Sequence, residues 1–242
     1  MKTAGRLVEQ GDTGFSKEEW QAYLAGYEKA GMPSVHHSVQ YRACEQPAYR
    51  IIESSFIRLF PILEKAAAVQ LRKNGVCVIA IDGRAASGKT TMADQLKVIL
   101  GADIVRMDDF FLPPELRTQA RLNEPGGNVH YERFIKEVLP HISASERFSY
   151  RRFDCGRMEY NGWCRIESTG FRIAEGSYSC HPCFGRYADI TVFSDVQPDE
   201  QIRRIQCRNG SEMAKQFFGR WIPMEENYFE CFQIAQNADL RV

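Results

Sequence analysis

One eight-residue segment constrains this chain more than any other, the sequence GRAASGKT at residues 83–90. It follows a continuous apolar run at residues 76–81 and precedes residues 90–100, where apolar side chains recur at helical spacing. An unbroken apolar run of that length is typical of a strand buried on both faces of a parallel sheet. The sequence therefore predicts a strand, a glycine-rich loop and a helix in immediate succession.

The glycine-rich loop has the pattern of a phosphate-binding site. Its glycines let the backbone N–H groups turn toward phosphate oxygens, and the following helix adds the positive end of its dipole. We expect Lys89 to reach the β- and γ-phosphates of ATP and the Thr90 hydroxyl to bind Mg²⁺. A glycine-rich turn with a surface lysine is the alternative, but the flanking strand and helix favour the phosphate site. The residues expected to bind the nucleotide are Gly83, Arg84, Ala85, Ala86, Ser87, Gly88, Lys89, Thr90 and Thr91.

A second motif indicates what this phosphate site does. The sequence MDDFFLP at residues 107–113 follows a short predicted strand at residues 103–107. Acidic residues at the carboxyl end of a strand in an open α/β sheet face the ligand crevice, where a carboxylate can accept a proton from an attacking hydroxyl. An aspartate that caps a helix or loop is the alternative. The first interpretation predicts phosphoryl transfer to a hydroxyl group.

Strands and helices alternate after residue 70, which predicts an α/β fold with a parallel central sheet. The Asn161-Gly162 dipeptide between polar–apolar segments predicts the turn of a β-hairpin. Further strands are expected at residues 148–153, 171–174, 189–193 and 238–242. Further helices are expected at residues 131–142 and 199–235, the latter broken at Pro223.

Residues 1–70 are predicted to form a helical extension, separate from a domain at residues 71–242. Ser16 and Glu19 have the spacing of a capping box, and a second helical region runs through Ile51 and Ile52. The extension could pack on the sheet, cover the acceptor site or form a homodimer, and the sequence does not choose among these. The aromatic side chains that supply apolar area for any of them are Trp20, Tyr23, Tyr27, Tyr41 and Tyr49.

The charge and cysteine content restrict the partners and the compartment. The chain has 31 Lys+Arg and 31 Asp+Glu, so its net charge gives no argument for nucleic acid or an anionic membrane as a partner. Neither a signal sequence nor an apolar run long enough to span a bilayer is present, so we expect a cytoplasmic protein. The single C-x-x-C, at Cys180 and Cys183, lacks a second ligand pair, which favours free thiols over a metal site.

These motifs together resemble the uridine kinase and phosphoribulokinase family of P-loop small-molecule kinases. The resemblance covers residues 75–242 and implies a three-layer P-loop NTPase fold with a parallel central sheet, a β-hairpin insertion and a helical lid at about residues 203–220. Residues 1–70 lie outside it. The segments that carry it are IDGRAASGKTT (81–91), MDDFFLP (107–113), NVHYERF (128–134), EGSY (175–178) and RRIQCRNG (203–210).

The resemblance assigns catalytic and metal-binding roles. Asp108 matches the catalytic base of the family, and Asp109 becomes a neighbouring metal-binding or hydrogen-bonding group. Glu175 matches the strand-end acid that holds Mg²⁺ through water, with an ordinary edge carboxylate as the alternative. Arg204 and Arg208 lie on one helical face in the lid and are expected to bind the polyphosphate.

A solvated helix face is the alternative for the lid arginines. Arg203 lies in the same segment, and Arg220 could serve instead.

The acceptor side shows one departure from the family pattern. His130 stands where the nucleoside kinases of the family carry an aspartate that binds ribose hydroxyls. The other residues expected to contact the acceptor are Tyr131, Arg152, Asp154 and His181. The predicted function is therefore an ATP-dependent kinase for a small hydroxyl-bearing metabolite, with a nucleoside as the first candidate.

Other acceptors and other classes of protein stay open on the sequence alone. The acceptor could instead be pantothenate, glycerate, nicotinamide riboside or a sugar phosphate. A P-loop NTPase without a small acceptor and a non-catalytic binding module are the remaining alternatives.

Overall fold

The computed structural model describes residues 2–34, 36–47 and 54–242. Its contacts divide the chain into two units, Met1–Ile51 and Ile52–Val242. The first unit contains helices α1 (Lys2–Glu9), α2 (Lys17–Lys29) and α3 (Val39–Glu45). The capping box predicted at α2 is present, because the Ser16 hydroxyl accepts from the Glu19 N–H while the Glu19 carboxylate accepts from the Ser16 N–H. Tyr49, Ile51 and Ile52, which the sequence placed in helical regions, lie outside the described residues.

The second unit is built on seven strands. They are β1 (Cys77–Gly83), β2 (Asp103–Arg106), β3 (Phe148–Asp154), β4 (Glu159–Ile166), β5 (Phe171–Glu175), β6 (Ile190–Ser194) and β7 (Leu240–Arg241). Five of them form a parallel sheet in the order β2-β5-β1-β6-β7. The order reverses at β1, so the crevice that open α/β sheets use for ligands lies at its carboxyl end. The predicted parallel sheet is confirmed.

Helices cover both faces of this sheet. They are α4 (Phe60–Arg72), α5 (Lys89–Leu100), α6 (Gln119–Asn123), α7 (Tyr131–Glu137), α8 (Leu139–Ile142), α9 (Pro198–Gln216), α10 (Ile222–Phe232) and α11 (Ile234–Asn237). Side chains of β1 alternate between two cores: Ile79 packs with Ile62 of α4 and Leu96 of α5, whereas Val78 packs in a cluster with Phe134 of α7. This alternation gives three layers, with β1 buried on both sides.

Helix α4 explains why the boundary between the two units lies nearer the N-terminus than the sequence predicted. The sequence placed the division at residue 70, whereas the contacts place it after Ile51. Ile62 and Ala66 of α4 are fully buried in the core with β1 and α5, so this helix is part of the sheet-containing unit. None of the described helices is long and apolar enough to cross a membrane.

Strands β3 and β4 form the predicted hairpin, but the turn is not at Asn161-Gly162. The turn spans residues 155–158, where the Asp154 carboxylate accepts from the N–H groups of Gly156 and Arg157, as in an Asx-turn. Gly162 lies inside β4 at φ 80°, next to a shift in register between the two strands. The glycine signal therefore marks a β-bulge, which also needs a left-handed residue.

Two predicted helices are interrupted. Residues 131–142 form α7 and α8, separated at Val138, because Pro140 in the first turn of α8 lacks the N–H that a continuous helix needs. Residues 199–235 break at Gly210 (φ 74°), followed by a π-helical turn at Phe217–Trp221. Pro223 lies in the first turn of α10, where proline is tolerated, and is not the break.

Candidate active site

The loop between β1 and α5 has a backbone conformation that most residues could not adopt without strain or overlap. Gly83 has φ 138°, and a Cβ atom there would lie 2.1 Å from the Ser194 carbonyl oxygen. Gly88 has φ 98° at the start of α5, and Ala86 takes the left-handed region at φ 59°. Lys89 is buried and donates to the carbonyl oxygens of Gly83 and Arg84, at 2.7 and 2.8 Å. The loop therefore curls around the lysine ammonium group, as a phosphate cradle requires.

A buried carboxylate supports this loop from below. Asp82 is fully buried and accepts hydrogen bonds from the N–H groups of Gly83, Tyr178 and Cys180 and from the Tyr228 hydroxyl. Burial raises the pKa of Asp82 to about 6, although these hydrogen bonds and the Lys89 charge act to lower it. Asp82 thus links the loop to β5 and α10 at the end of β1.

A second buried carboxylate contacts the same loop from above. Glu225 of α10 accepts from the Ala85 N–H at 2.9 Å and from the Ser177 hydroxyl at 2.6 Å. Burial raises the pKa of Glu225, with the Lys89 charge opposing the shift. Sequence reasoning assigned no role to Ser177 or Glu225, since nothing in the sequence around α10 marks its contact with a loop 140 residues away.

The predicted metal ligands Thr90 and Glu175 are adjacent. The Thr90 hydroxyl donates to Glu175 Oε1 at 3.0 Å, and Arg106 lies 3.1 Å from Glu175 Oε2. Burial raises the pKa of Glu175, while the Lys89 charge lowers it. Gly176 follows at φ 132°, and a Cβ atom there would lie 2.8 Å from that of Met107. Hydroxyl and carboxylate oxygens are ligands that Mg²⁺ prefers, so these residues fit the expected cation.

One cleft of about 920 Å³ gathers most of the predicted catalytic and nucleotide-binding groups. The predicted residues that line it are Ala85, Ala86, Gly88, Lys89, Thr90, Thr91, Asp108, Glu175, Arg203, Arg204 and Arg208. Ser87 contributes a buried hydroxyl oxygen with no hydrogen-bond partner in the described part of the chain. An unpartnered buried hydroxyl inside a glycine-rich loop fits a phosphate oxygen as its partner. Gly83 and Arg84 form the start of the loop behind this lining.

Arginines approach the loop from two directions. Arg204 of α9 donates to the Ala86 carbonyl at 3.1 Å and to Glu200 at 2.7 Å. From the segment before α4, Arg58 donates to the Ser87 carbonyl and to the Ser194 hydroxyl, both at 3.3 Å. Burial and the charge of Arg204 lower the pKa of Arg58. Sequence reasoning missed Arg58 because it lies in the stretch assigned to the N-terminal extension.

The other predicted lid residue, Arg208, is held locally. Its Nε donates to Asn209 Oδ1 at 2.9 Å, and its guanidinium group lies 5.9 Å from the centre of the Phe217 ring. Arg220, the predicted substitute, is not among the residues that line the cleft.

The predicted acceptor residues are not brought to this cleft. Asp109, predicted for the metal, accepts from the buried Tyr150 hydroxyl at 2.9 Å and lies 3.6 Å from Arg152. Tyr131 and His181 stack on each other with ring centres 5.3 Å apart. The residues absent from the lining are Asp109, His130, Tyr131, Arg152, Asp154 and His181.

Most of these residues have a local structural partner instead, although the ring Nδ1 of His130 is buried without a hydrogen-bond partner in the described part of the chain. The Asp154 carboxylate holds the hairpin turn, and the His130 N–H donates to the Phe110 carbonyl at 2.6 Å. The cleft is also lined by Phe111 and Asn128, which lie in segments that carry the resemblance, and by three residues to which the sequence assigned no role in the site: Arg117, Cys155 and Met158. Spacing within a motif could not reveal them, because they come from loops that only the fold brings together.

Comparison with known proteins identifies this architecture. No protein-family model matches the sequence, and no curated protein matches it. A protein described as a uridine kinase from Bacillus stearothermophilus is similar in structure, with a TM-score of 0.53 and 18% identity over 75% of this chain and 98% of that one.

Two further solved structures agree. A protein described as a fructose transport system kinase from Silicibacter sp. has a TM-score of 0.56 and 21% identity over 75% of this chain and 97% of its own. D-glycerate 3-kinase from Cryptococcus neoformans has a TM-score of 0.52 and 14% identity, over 72% and 88%. The fold of this chain is therefore that of the P-loop small-molecule kinases which its motifs resemble.

Proposed function

We propose that this protein is a kinase that binds ATP with Mg²⁺ at residues 83–91 and transfers the γ-phosphoryl group to a hydroxyl of a small metabolite. The observation that carries the proposal is the shared cleft. Lys89 of the loop, Asp108 after β2, Glu175 at the end of β5 and the arginines of α9 all line it. A binding module or simple NTPase has no acceptor hydroxyl to deprotonate, whereas Asp108 offers an exposed carboxylate in the same cleft in addition to Glu175.

The proposed reaction uses these groups as follows. Asp108 accepts the proton of the acceptor hydroxyl, whose oxygen then bonds to the γ-phosphorus as the bond from that phosphorus to the β-γ bridging oxygen breaks. Lys89 and Arg204 stabilise the charge that develops on the transferred group. Thr90 and Glu175 would hold Mg²⁺, which neutralises charge on the β- and γ-phosphates when bound. Closure of α9 would exclude water and suppress hydrolysis.

The acceptor is the finer part of the proposal. A nucleoside is the candidate that follows from the resemblance, and the similar solved structures add a sugar and glycerate through their names. His130, at the position expected for ribose, does not line the cleft. Support for a nucleoside as the acceptor therefore comes from the resemblance alone. The residues around Asp108 provide the evidence on the other candidate acceptors.

A coupled ADP-release assay tests the proposal. Purified protein with MgATP is assayed against nucleosides, vitamins and sugar acids, with Lys89→Ala as the inactive control. ADP release that depends on one acceptor is the expected result. ADP release at the same rate with and without each acceptor would favour an NTPase. If no mixture released ADP, the kinase proposal would be rejected.

A further inference from the structure

Arg117 lies in the cleft without a carboxylate partner. It follows the short turn at Pro114–Leu116, is half-buried, and lines the same cleft as Asp108. Its one side-chain hydrogen bond within the described residues is a donation to the Met158 sulfur at 3.7 Å, and no ion pair there includes it. By contrast, Arg204 in the same cleft is paired with Glu200. A guanidinium group that is partly removed from water is normally matched by an anion, so Arg117 has an unused capacity for one.

Asn128 provides a second unmatched group. Asn128 is 8% exposed, and it lines the same cleft as Arg117. The backbone carbonyl of Asn128 accepts from the Leu112 N–H at 3.2 Å, which holds the residue in place. Its carboxamide makes no hydrogen bond within the described residues. Because Asn128 lines the cleft and its carboxamide is not among the buried side-chain atoms that lack a partner, this group is reachable from the cleft. It can therefore bond to a ligand that supplies both a donor and an acceptor, or to water in its absence.

The β3–β4 hairpin turn contacts both Arg117 and the proposed base. The Cys155 thiol donates to the Asp108 carbonyl at 3.5 Å, and Cys155 and Met158 are both in the hairpin turn that faces Arg117. Burial and the Asp108 charge raise the pKa of Cys155 to about 11, and the Arg117 charge opposes this shift. Cys155 is thus within electrostatic range of both charges, and Phe111 completes the wall with an aromatic ring.

We propose that the phosphoryl acceptor carries an anionic group, a carboxylate or a phosphate, that binds Arg117, while its polar backbone bonds to Asn128 and its hydroxyl faces Asp108. The inference rests on the proposed function and names its substrate class as hydroxy acids or sugar phosphates rather than free nucleosides. Near Asp108 the carboxylate would repel an anionic acceptor, and the Arg117 charge opposes that repulsion. A neutral acceptor would leave Arg117 unmatched in the closed complex.

Matched acceptor pairs test this specificity. ADP release is measured with glycerate against glycerol, pantothenate against panthenol, ribulose 5-phosphate against ribulose, and uridine. We expect a productive anionic acceptor to exceed its neutral partner by at least about 100-fold in kcat/KM, since a site built for a polar group rejects analogues that lack it. The first two pairs distinguish a carboxylate from the phosphate of the third. Turnover of uridine or glycerol as efficient as that of every anionic compound would overturn the inference.

Variants then assign the discrimination to Arg117. Arg117→Gln should remove most of the preference for the anion, because it should lower kcat/KM for the anionic acceptor far more than for its neutral partner, and Arg117→Lys should restore part of the preference. Arg72→Gln, on an exposed arginine of α4, is the matched control. Equal loss with the anionic and the neutral acceptor would mean that Arg117 supports the structure and does not select the substrate.

A chemical probe tests the inference without kinase activity. Cys155 is alkylated with iodoacetate, which is anionic, or with iodoacetamide, which is neutral, and the extent is measured by peptide mass spectrometry. The ratio of the two rates cancels any change in the thiol pKa. We expect Arg117→Gln to lower this ratio about fivefold at Cys155, because one positive charge is lost nearby, and to leave it unchanged at Cys207. An unchanged ratio at Cys155 would reject Arg117 as the anion site even if the protein proves to be an active kinase.

Discussion

The two sides of the cleft differ in how their polar groups are satisfied. On the donor side, Lys89 is bonded to loop carbonyl oxygens, Thr90 to Glu175, and Arg204 to Glu200 and the loop. On the acceptor side, Arg117 and Asn128 have no such partners among the described residues. The protein therefore builds the donor side as a preorganised cradle, whereas the acceptor side leaves its recognition groups for the ligand.

The difference has its origin in chain connectivity. The donor side is one contiguous loop between β1 and α5. Two buried carboxylates, Asp82 and Glu225, accept hydrogen bonds from its backbone N–H groups. The acceptor side combines residues 111–117, residue 128 and the turn of the β3–β4 hairpin. The shape of a binding surface made by one contiguous loop is set mainly by the backbone conformation of that loop. The shape of a surface assembled from separate segments is set mainly by their side chains. Substitutions on the donor side should therefore affect folding or ATP binding, and those on the acceptor side should affect substrate choice.

The largest expected effect comes from Asp108→Asn, which tests whether chemistry can be separated from donor binding. Loss of a general base typically costs about 10³-fold in rate, and we expect kcat to fall by that factor. The Kd for ATP, measured by titration calorimetry, should stay within about twofold because no loop contact is changed. Unchanged kcat would remove Asp108 from the role of base.

The next effect is on stability and concerns the donor side alone. In Gly83→Ala the new Cβ would overlap the Ser194 carbonyl, which is part of the neighbouring strand and cannot move aside. We expect a loss of about 3 kcal/mol in the free energy of unfolding, measured in urea. Gly101→Ala is the control, since Gly101 also has a positive φ (62°) but no atom within 4 Å of the added Cβ. It should lose about 1 kcal/mol, and equal losses would show that strain rather than the overlap limits position 83.

The same contrast explains what the sequence could predict. The strand, loop and helix at residues 76–100 were predicted because apolar periodicity and glycine spacing are local, and the structure has them. The parallel sheet followed from alternation of strands and helices. The grouping of Lys89, Thr90, Asp108 and Glu175 followed because the carboxyl ends of parallel strands share one edge.

The remaining features depend on contacts that no local pattern encodes. The Asn161-Gly162 signal was read as a turn, because a bulge and a turn both use a left-handed glycine. Tyr131 and His181 are polar residues in recognisable segments, yet they stack on each other beside the core. Arg58, Arg117 and Glu225 reach the cleft from regions whose sequence gives no sign of it.

A pH experiment tests whether the donor side is built over a buried charge. The pKa of Asp82 is raised to about 6 in the folded protein, against 3.8 as its ordinary value. The folded state therefore binds this proton more tightly than the unfolded state does. The contribution of protonated Asp82 to the free energy of unfolding is fully present below pH 3.8 and is lost as the pH rises through 6.

The free energy of unfolding of the wild-type protein, taken relative to that of Asp82→Asn, should fall by about 2 kcal/mol between pH 4 and about 6.5. The variant is the reference because its side chain at position 82 does not ionise. Urea unfolding of both proteins across that range gives the difference directly. A difference that does not change with pH would mean that Asp82 ionises normally beneath the loop.

The smallest expected effect concerns Arg58, which would extend the donor side to a segment outside the motifs. Arg58 has no carboxylate partner in the described residues, and burial and the Arg204 charge lower its pKa. Arg58 and Arg204 both donate to carbonyl oxygens of the loop, and of the two only Arg204 is paired with a carboxylate, Glu200. A polyphosphate would relieve the repulsion between the two guanidinium groups, and Arg58→Gln should raise the KM for ATP about 10-fold. The KM for the acceptor should not change, and Arg72→Gln should leave both values as in the wild type. If the acceptor KM rose instead, Arg58 would belong to the acceptor side, and the donor side would not extend to the segment before α4.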